Sequence, residues 1–431
     1  MTTNETTNEN NAKPNNWLQR LKDESWEAEL IISTVAIFGT VQMFKMISWM
    51  TDWFINVLPP SQYFNGYMVS SFGLFAVSLL TTMFVIHFLM RAYWVGLVGL
   101  NSVFPDYGLE DSAYSEIYTN KMLAILPKLK DTISKVDDLC SVIFSAAFFL
   151  FFMYAYISAI SIVILLIYVN FVDLIPPLVL AFFNWAIIVF GFGMMIISAI
   201  ANIKYFKKNE SIQTLYFNLI RWSSIITMGP LYKYILQISM SFATNYKKKK
   251  ALVRIIIAFA VFGCIVTVTQ IFNSNLLYLI NTDSSYNESK LYNHYYRSSY
   301  EGGDFLLGPQ IDSEVMNEPL LRLFIPIYSY ESKIVTKMYG EVKRDDTLSE
   351  KEGSVKKRKA YIERYTKYHS VKVDGNEIPI SFKRYTHPDS KQFGVLAFID
   401  INGYSKGEHT LSIQKKLEEE SKDWEIPFFY Y

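Results

Sequence analysis

The sequence predicts an α-helical polytopic membrane domain of about five transmembrane helices, N-terminus in and C-terminus out. A C-terminal all-β domain of immunoglobulin-like sandwich type follows it outside the cytoplasm. Three observations carry this reading. Long apolar runs crowd into the chain before about residue 275. Basic residues collect in alternate connections between those runs. After residue 273 the apolar period drops from helical runs to alternation.

Composition sets the outer limits. The chain has 431 residues, 51% of them hydrophobic and 19% charged. Soluble domains carry about a quarter charged residues, so this is low. A net charge of +1 argues against a nucleic-acid surface, which would be strongly basic. Two cysteines, Cys140 and Cys264, sit far apart in apolar runs. They cannot build a disulfide framework or a cysteine-based zinc site, and are expected as inert buried thiols. Residues 1–24 are polar and rich in Asn and Thr, which predicts a disordered cytoplasmic segment.

The membrane domain is expected over 25–273, with spans near 28–47, 67–89, 141–169, 174–203 and 251–272, because a crossing helix needs ~20 apolar residues. Lys45 and Asp52 interrupt the first run, so an interfacial turn with Trp49 and Trp53 is expected after residue 47. Arg91, Tyr93 and Trp94 read as the belt that ends the second span. Residues 170–173 make a tight turn between the third and fourth.

Orientation follows from the loops. Lys13, Arg20 and Lys22 precede the first span; residues 58–66 carry no charge; Lys121, Lys128, Lys130 and Lys135 precede the third. The next link has no Lys or Arg, and Lys247, Lys248, Lys249 and Lys250 stand directly before the fifth. Basic connections stay in the cytoplasm, so residues after 273 are expected outside. The four lysines are also expected against anionic lipid headgroups, at ~1 kcal/mol each.

Two connections are not featureless. Apolar residues recur at helical steps through 112–139, an amphipathic pattern expected to be satisfied within the protein. The segment 212–242 is apolar but broken by Arg221, Lys233 and Gly229-Pro230, and reads as two interfacial helices with an elbow. A re-entrant hairpin is the alternative.

The outer domain is expected over 274–431. Val371 and Val373, then Ile378 and Ile380, alternate around Asp374-Gly375, a hairpin signal. Residues 395–401, 409–413 and 424–431 read as further strands, and 320–330 as a strand whose Pro326 implies an edge or bulge. Residues 348–368 read as a charged helix. The Tyr-rich stretch 281–303 reads as a linker or an aromatic contact surface, and Asn287-Glu288-Ser289 fits a glycosylation acceptor.

Candidate functional residues are few. No histidine pair has metal-ligand spacing, and no phosphate loop or nucleophile elbow is present. No catalytic residue, metal or cofactor is therefore expected. The leads are polar groups in apolar runs: Lys45, His87 and Asn184. Lys45 is expected to snorkel to the interface, His87 to be satisfied one turn from Arg91, and Asn184 to bond between helices. The function expected is a non-enzymatic component of a cell-envelope complex in a bacterial inner membrane. Its partners would be membrane lipids and a protein bound by the outer β domain. The alternatives are a channel or transporter near Lys45, His87 and Gly229-Pro230, and a membrane enzyme acting on lipid or glycan.

Overall fold

The computed structural model describes residues 25–105, 114–171, 177–246, 250–280, 292–300, 305–342, 350–416 and 421–431. The chain divides into two compact units. One combines residues 1–43 with 75–266; the other combines 44–74 with 267–431.

The first half of the chain is helical. The helices are α1 (Trp26–Val57), α2 (Tyr63–Val103), α3 (Glu116–Ile125), α4 (Leu129–Phe171), α5 (Pro177–Asn202), α6 (Glu210–Met228), α7 (Tyr232–Tyr246) and α8 (Lys250–Phe272). Among the described residues, three helical stretches, 26–57, 60–103 and 116–161, are long and apolar enough to cross a membrane, which makes this a membrane protein. Val189–Asn202 and Ile257–Phe272 are shorter apolar stretches. Hydroxyls inside these helices bond back to their own backbone: Thr51 to Ile47 O at 2.9 Å and Thr82 to Ser78 O at 2.8 Å. An apolar surrounding offers them no water, so this is how the polar atom is satisfied. The helical unit packs around Leu80, Phe84, Ile143, Ala147 and Phe259, from α2, α4 and α8.

Several expectations are corrected. No turn follows residue 47; α1 continues to Val57. Arg91 does not end a helix; it is 1% exposed, and α2 runs on to Val103. Pro127 breaks 112–139 into α3 and the start of α4, and α3 has no buried residue, with Ile117 and Ile125 both exposed. Cys140 is buried as expected, but Cys264 is exposed on α8. Residues 172–173 of the expected tight turn, Lys247 to Lys249, the acceptor pattern at Asn287 and the segment 1–24 lie outside the described residues.

The break at Gly229-Pro230 is a 3₁₀ turn, Gly229–Leu231, between α6 and α7. Gly229 has φ of +49°, where a side chain would be strained. The Tyr156 ring also occupies the space a Cβ would need, so two independent demands select glycine.

The β region holds two sheets. The strands are β1 (Gln310–Ile311), β2 (Val315–Met316), β3 (Leu320–Pro326), β4 (His369–Val373), β5 (Asn376–Glu377), β6 (Lys383–Thr386), β7 (Phe393–Asp400), β8 (Gly407–Lys416) and β9 (Ser421–Tyr430). One sheet runs β1-β3-β7-β6 and the other β2-β9-β8-β4-β5. Alternate residues from both, among them Leu323, Ile325, Val395, Ile413, Trp424 and Phe428, enter one shared core. At the β4–β5 turn, Asp374 (φ +50°) and Gly375 (φ +79°) both take the left-handed conformation. That twist matches the strands of a tight hairpin. The second strand is shorter than expected, ending at Glu377.

Pro326 ends β3 where one side of the strand is open, the edge position its missing N–H implies. β3 pairs on both sides, but β1 covers only Leu323 and Phe324, so the missing N–H at the strand end goes unrequired. Two helices join the sheets, α9 (Ser329–Tyr339) and α10 (Glu350–Tyr368). The described part of the Tyr-rich stretch is structural: Tyr296 is 1% exposed and its hydroxyl donates to Pro427 O at 2.6 Å.

Candidate functional site

Three polar constellations stand out, one in the helical unit and two in the β-containing unit.

In the helical unit, α1, α2 and α4 bring Glu29, Ser33, His87, Arg91 and Asp137 together. His87 and Arg91 lie one turn apart on α2, so they share a face. His87 is buried, with Nδ1 2.7 Å from Ser33 Oγ and Nε2 3.6 Å from Glu29 Oε2. The Arg91 guanidinium meets Glu29 at 2.9 Å and Asp137 at 2.5 Å and lies 4.6 Å from the Trp94 ring centre. A planar, permanently charged fork can serve both carboxylates at once. His87 is half satisfied: Nδ1 bonds to Ser33, while the buried Nε2 has no hydrogen-bond partner among the described residues. Glu29 and Asp137 were missed because they belong to distant parts of the chain.

The other sequence leads stay separate from it. Lys45 is exposed on α1, in the part of that helix that belongs to the β-containing unit. Asn184 falls on α5, where its side chain lies outside the described residues. Lys250 opens α8.

In the β-containing unit, Lys415 and Glu331 form a sealed pair. Their side chains are 2% and 1% exposed. Lys415 Nζ donates to Glu331 Oε1 and to Pro326 O, both at 2.7 Å, and lies 5.0 Å from the Tyr328 ring centre and 5.5 Å from that of Trp424. Burial lowers the Lys415 pKa, and Glu331 works against that shift. Next to it, burial and then Lys415 hold His369 down to about 3, so this imidazole is neutral. Its Nδ1–H donates to Tyr365 O at 2.7 Å. Sealed from solvent, this pair joins β8 to α9 rather than offering a surface for chemistry.

The third constellation is open. The end of α1, with Trp49, Asp52, Trp53 and Asn56, forms one wall of a cavity of about 680 Å³ within this unit. Phe305, Tyr328, Tyr361, Tyr365 and Phe393 line the rest with aromatic faces, and Lys391 and Gln392 add polar groups. Its size is in the ~300–1,000 Å³ range of small-ligand sites. The walls are tied. Asn56 donates to Ser329 Oγ at 3.1 Å and accepts from Ser329 N at 3.0 Å. Asp52 accepts from Asn275 at 2.7 Å, and Gln392 both accepts from and donates to the Leu306 backbone. A second cavity of about 540 Å³ shares Tyr361 and Phe393 with the first and adds Lys357, Arg358 and Arg384.

Among the described residues no cluster of His, Cys, Asp and Glu has the arrangement to hold a metal ion. Compared with protein-family models, with curated proteins and with solved structures, the chain matches none.

Proposed function

We propose that this chain is a five-span protein of a bacterial cytoplasmic membrane. Its N-terminus faces the cytoplasm, and an immunoglobulin-like sandwich lies outside. In this reading it performs no chemistry of its own and serves as an integral component of an envelope complex, holding a protein partner through the β domain.

The supporting observation is an outward apolar patch along the β2–β9 pairing. Val315 pairs with Phe429, both are exposed, and Tyr431, 72% exposed, packs against Phe429 with ring centres 6.4 Å apart. Strand alternation turns these side chains away from the core that Phe428 enters. Clustered exposed aromatics of this kind mark contact surfaces more often than a lone apolar residue does.

The test is purification in mild detergent without crosslinking. A partner protein should co-purify, and Phe429→Ser with Val315→Ser should release it while the fold persists. A strictly monomeric particle with no co-purifying protein would count heavily against this reading.

A second reading, a channel or transporter, is favoured by the buried Glu29–His87–Arg91–Asp137 network, since ionisable groups in apolar helices often line a pathway. Reconstituted flux that His87→Ala leaves unchanged removes His87 from any such path.

A further inference from the structure

We propose that the double cleft of the β-containing unit binds an anionic lipid, with its phosphate headgroup in the basic cavity. The inference is separate from the protein-partner reading, which rests on the β2–β9 patch.

Lys357, Arg358 and Arg384 line the second cavity, and no carboxylate does. All three are exposed, and among the described residues none pairs with an acid. The Arg384 guanidinium stacks 4.9 Å above the Phe393 ring centre, which holds its donors in a fixed plane. Helix α10, which carries Lys357 and Arg358, has seven basic residues against three acidic ones. An uncompensated basic cavity with one oriented guanidinium suits phosphate, because the fork can donate two parallel hydrogen bonds to it.

The neighbouring cavity says what the phosphate is attached to. It is walled by the last turns of α1, a helix long and apolar enough to cross a membrane. Trp49 there is 65% exposed, and Trp53 is half-buried beside it. Tryptophans at the end of an apolar helix are the side chains that settle at headgroup depth. Aromatic faces leading from that helix end to the shared Tyr361 and Phe393 suit the glycerol and first chain segments of a lipid. A soluble phosphate ester would use only the basic cavity.

The test uses the full chain in nanodiscs and in detergent. Retention of phosphatidylglycerol and of phosphatidylcholine is read by native mass spectrometry. The wild type should retain phosphatidylglycerol in preference to phosphatidylcholine. The triple variant Lys357→Gln, Arg358→Gln, Arg384→Gln should weaken that retention by tenfold or more, given roughly a factor of five per basic residue at an anionic surface. Lys356→Gln with Lys359→Gln, on the same helix but outside the cavity lining, should leave it unchanged. All these side chains are exposed, so an unchanged melting temperature serves as the check on folding. Equal retention of the two lipids overturns the proposal, as does a folded triple variant that binds like wild type. Displacement of the lipid by glycerol phosphate at equal concentration overturns the lipid assignment in favour of a soluble phosphate ester.

Discussion

Each unit buries a cation, and the two do so by different means. In the helical unit Arg91 is shared between Glu29 and Asp137 and backed by Trp94. In the β-containing unit Lys415 has one carboxylate, one carbonyl and two aromatic faces. The carboxylates differ most. Glu29 and Asp137 keep 12% and 26% exposure, whereas Glu331 is sealed. A carboxylate that can reach water or headgroups tolerates losing its partner; a sealed one does not. The guanidinium bridges three helices with a spread of donors, while the compact ammonium fits a finished core.

Mutations at the two cations test this contrast first. Lys415→Met leaves Glu331 buried and unpaired, and should cost about 3–5 kcal/mol in the unfolding of the β-containing unit. Adding Glu331→Leu should recover much of the loss, because an apolar pair of similar volume carries no desolvation cost. Denaturant unfolding followed by tryptophan fluorescence measures both. Arg91→Lys should cost less, about 2 kcal/mol, since its carboxylates are not sealed as Glu331 is. An equal or greater cost at Arg91 would break the contrast.

Gly229→Ala tests how firmly the α6–α7 elbow is set. The positive φ alone should cost about 1–2 kcal/mol, and Tyr156 must also move. Tyr156→Ala should relieve the second part and leave the first.

Acid should act through the sealed core before it acts on the surface. His369 titrates near 3 in the fold against about 6.5 unfolded, so the unfolded chain binds the extra proton between those values. Stability is fully present above about pH 6.5 and should fall by roughly 1.4 kcal/mol per pH unit below it. His369→Gln should flatten that limb in a pH series of melts.

His409 runs the other way. Its hydrogen bond to Asp374, at 2.6 Å, raises its pKa, so its contribution is present at low pH and is lost as pH rises through the raised value. Asp374 is held low chiefly by the Thr410 N–H, and that contribution is lost only in strong acid. Solvent screens this pair, so His409→Asn should cost only a few tenths of a kcal/mol, and only below the raised value.

What could be read in advance was local. The hairpin at Asp374-Gly375 was legible because two adjacent positive φ angles demand those residue types. The elbow was legible because glycine followed by proline cannot continue a helix. The one-turn spacing of His87 and Arg91 signalled a shared face, but their partners Glu29 and Asp137 come from other helices. Asp52 read as an interruption of α1. The helix continues because Asn275 and Ser329, more than 200 residues away, satisfy Asp52 and Asn56. The aromatic cleft was illegible for the same reason: its walls come from α1, α9, α10 and β7, and no short pattern records their meeting. Pro326 was legible as a mark of an open strand side, because its missing N–H lies where β1 stops short.

We propose that the β domain lies outside the membrane, and labelling from one side tests that orientation directly. In a Cys140→Ser, Cys264→Ser background, Asn402→Cys and Lys208→Cys each introduce one exposed thiol. A membrane-impermeant maleimide should modify Asn402→Cys in intact spheroplasts, and Lys208→Cys only after permeabilisation. Labelling of Lys208→Cys in intact cells with Asn402→Cys protected would contradict the orientation and everything built on it.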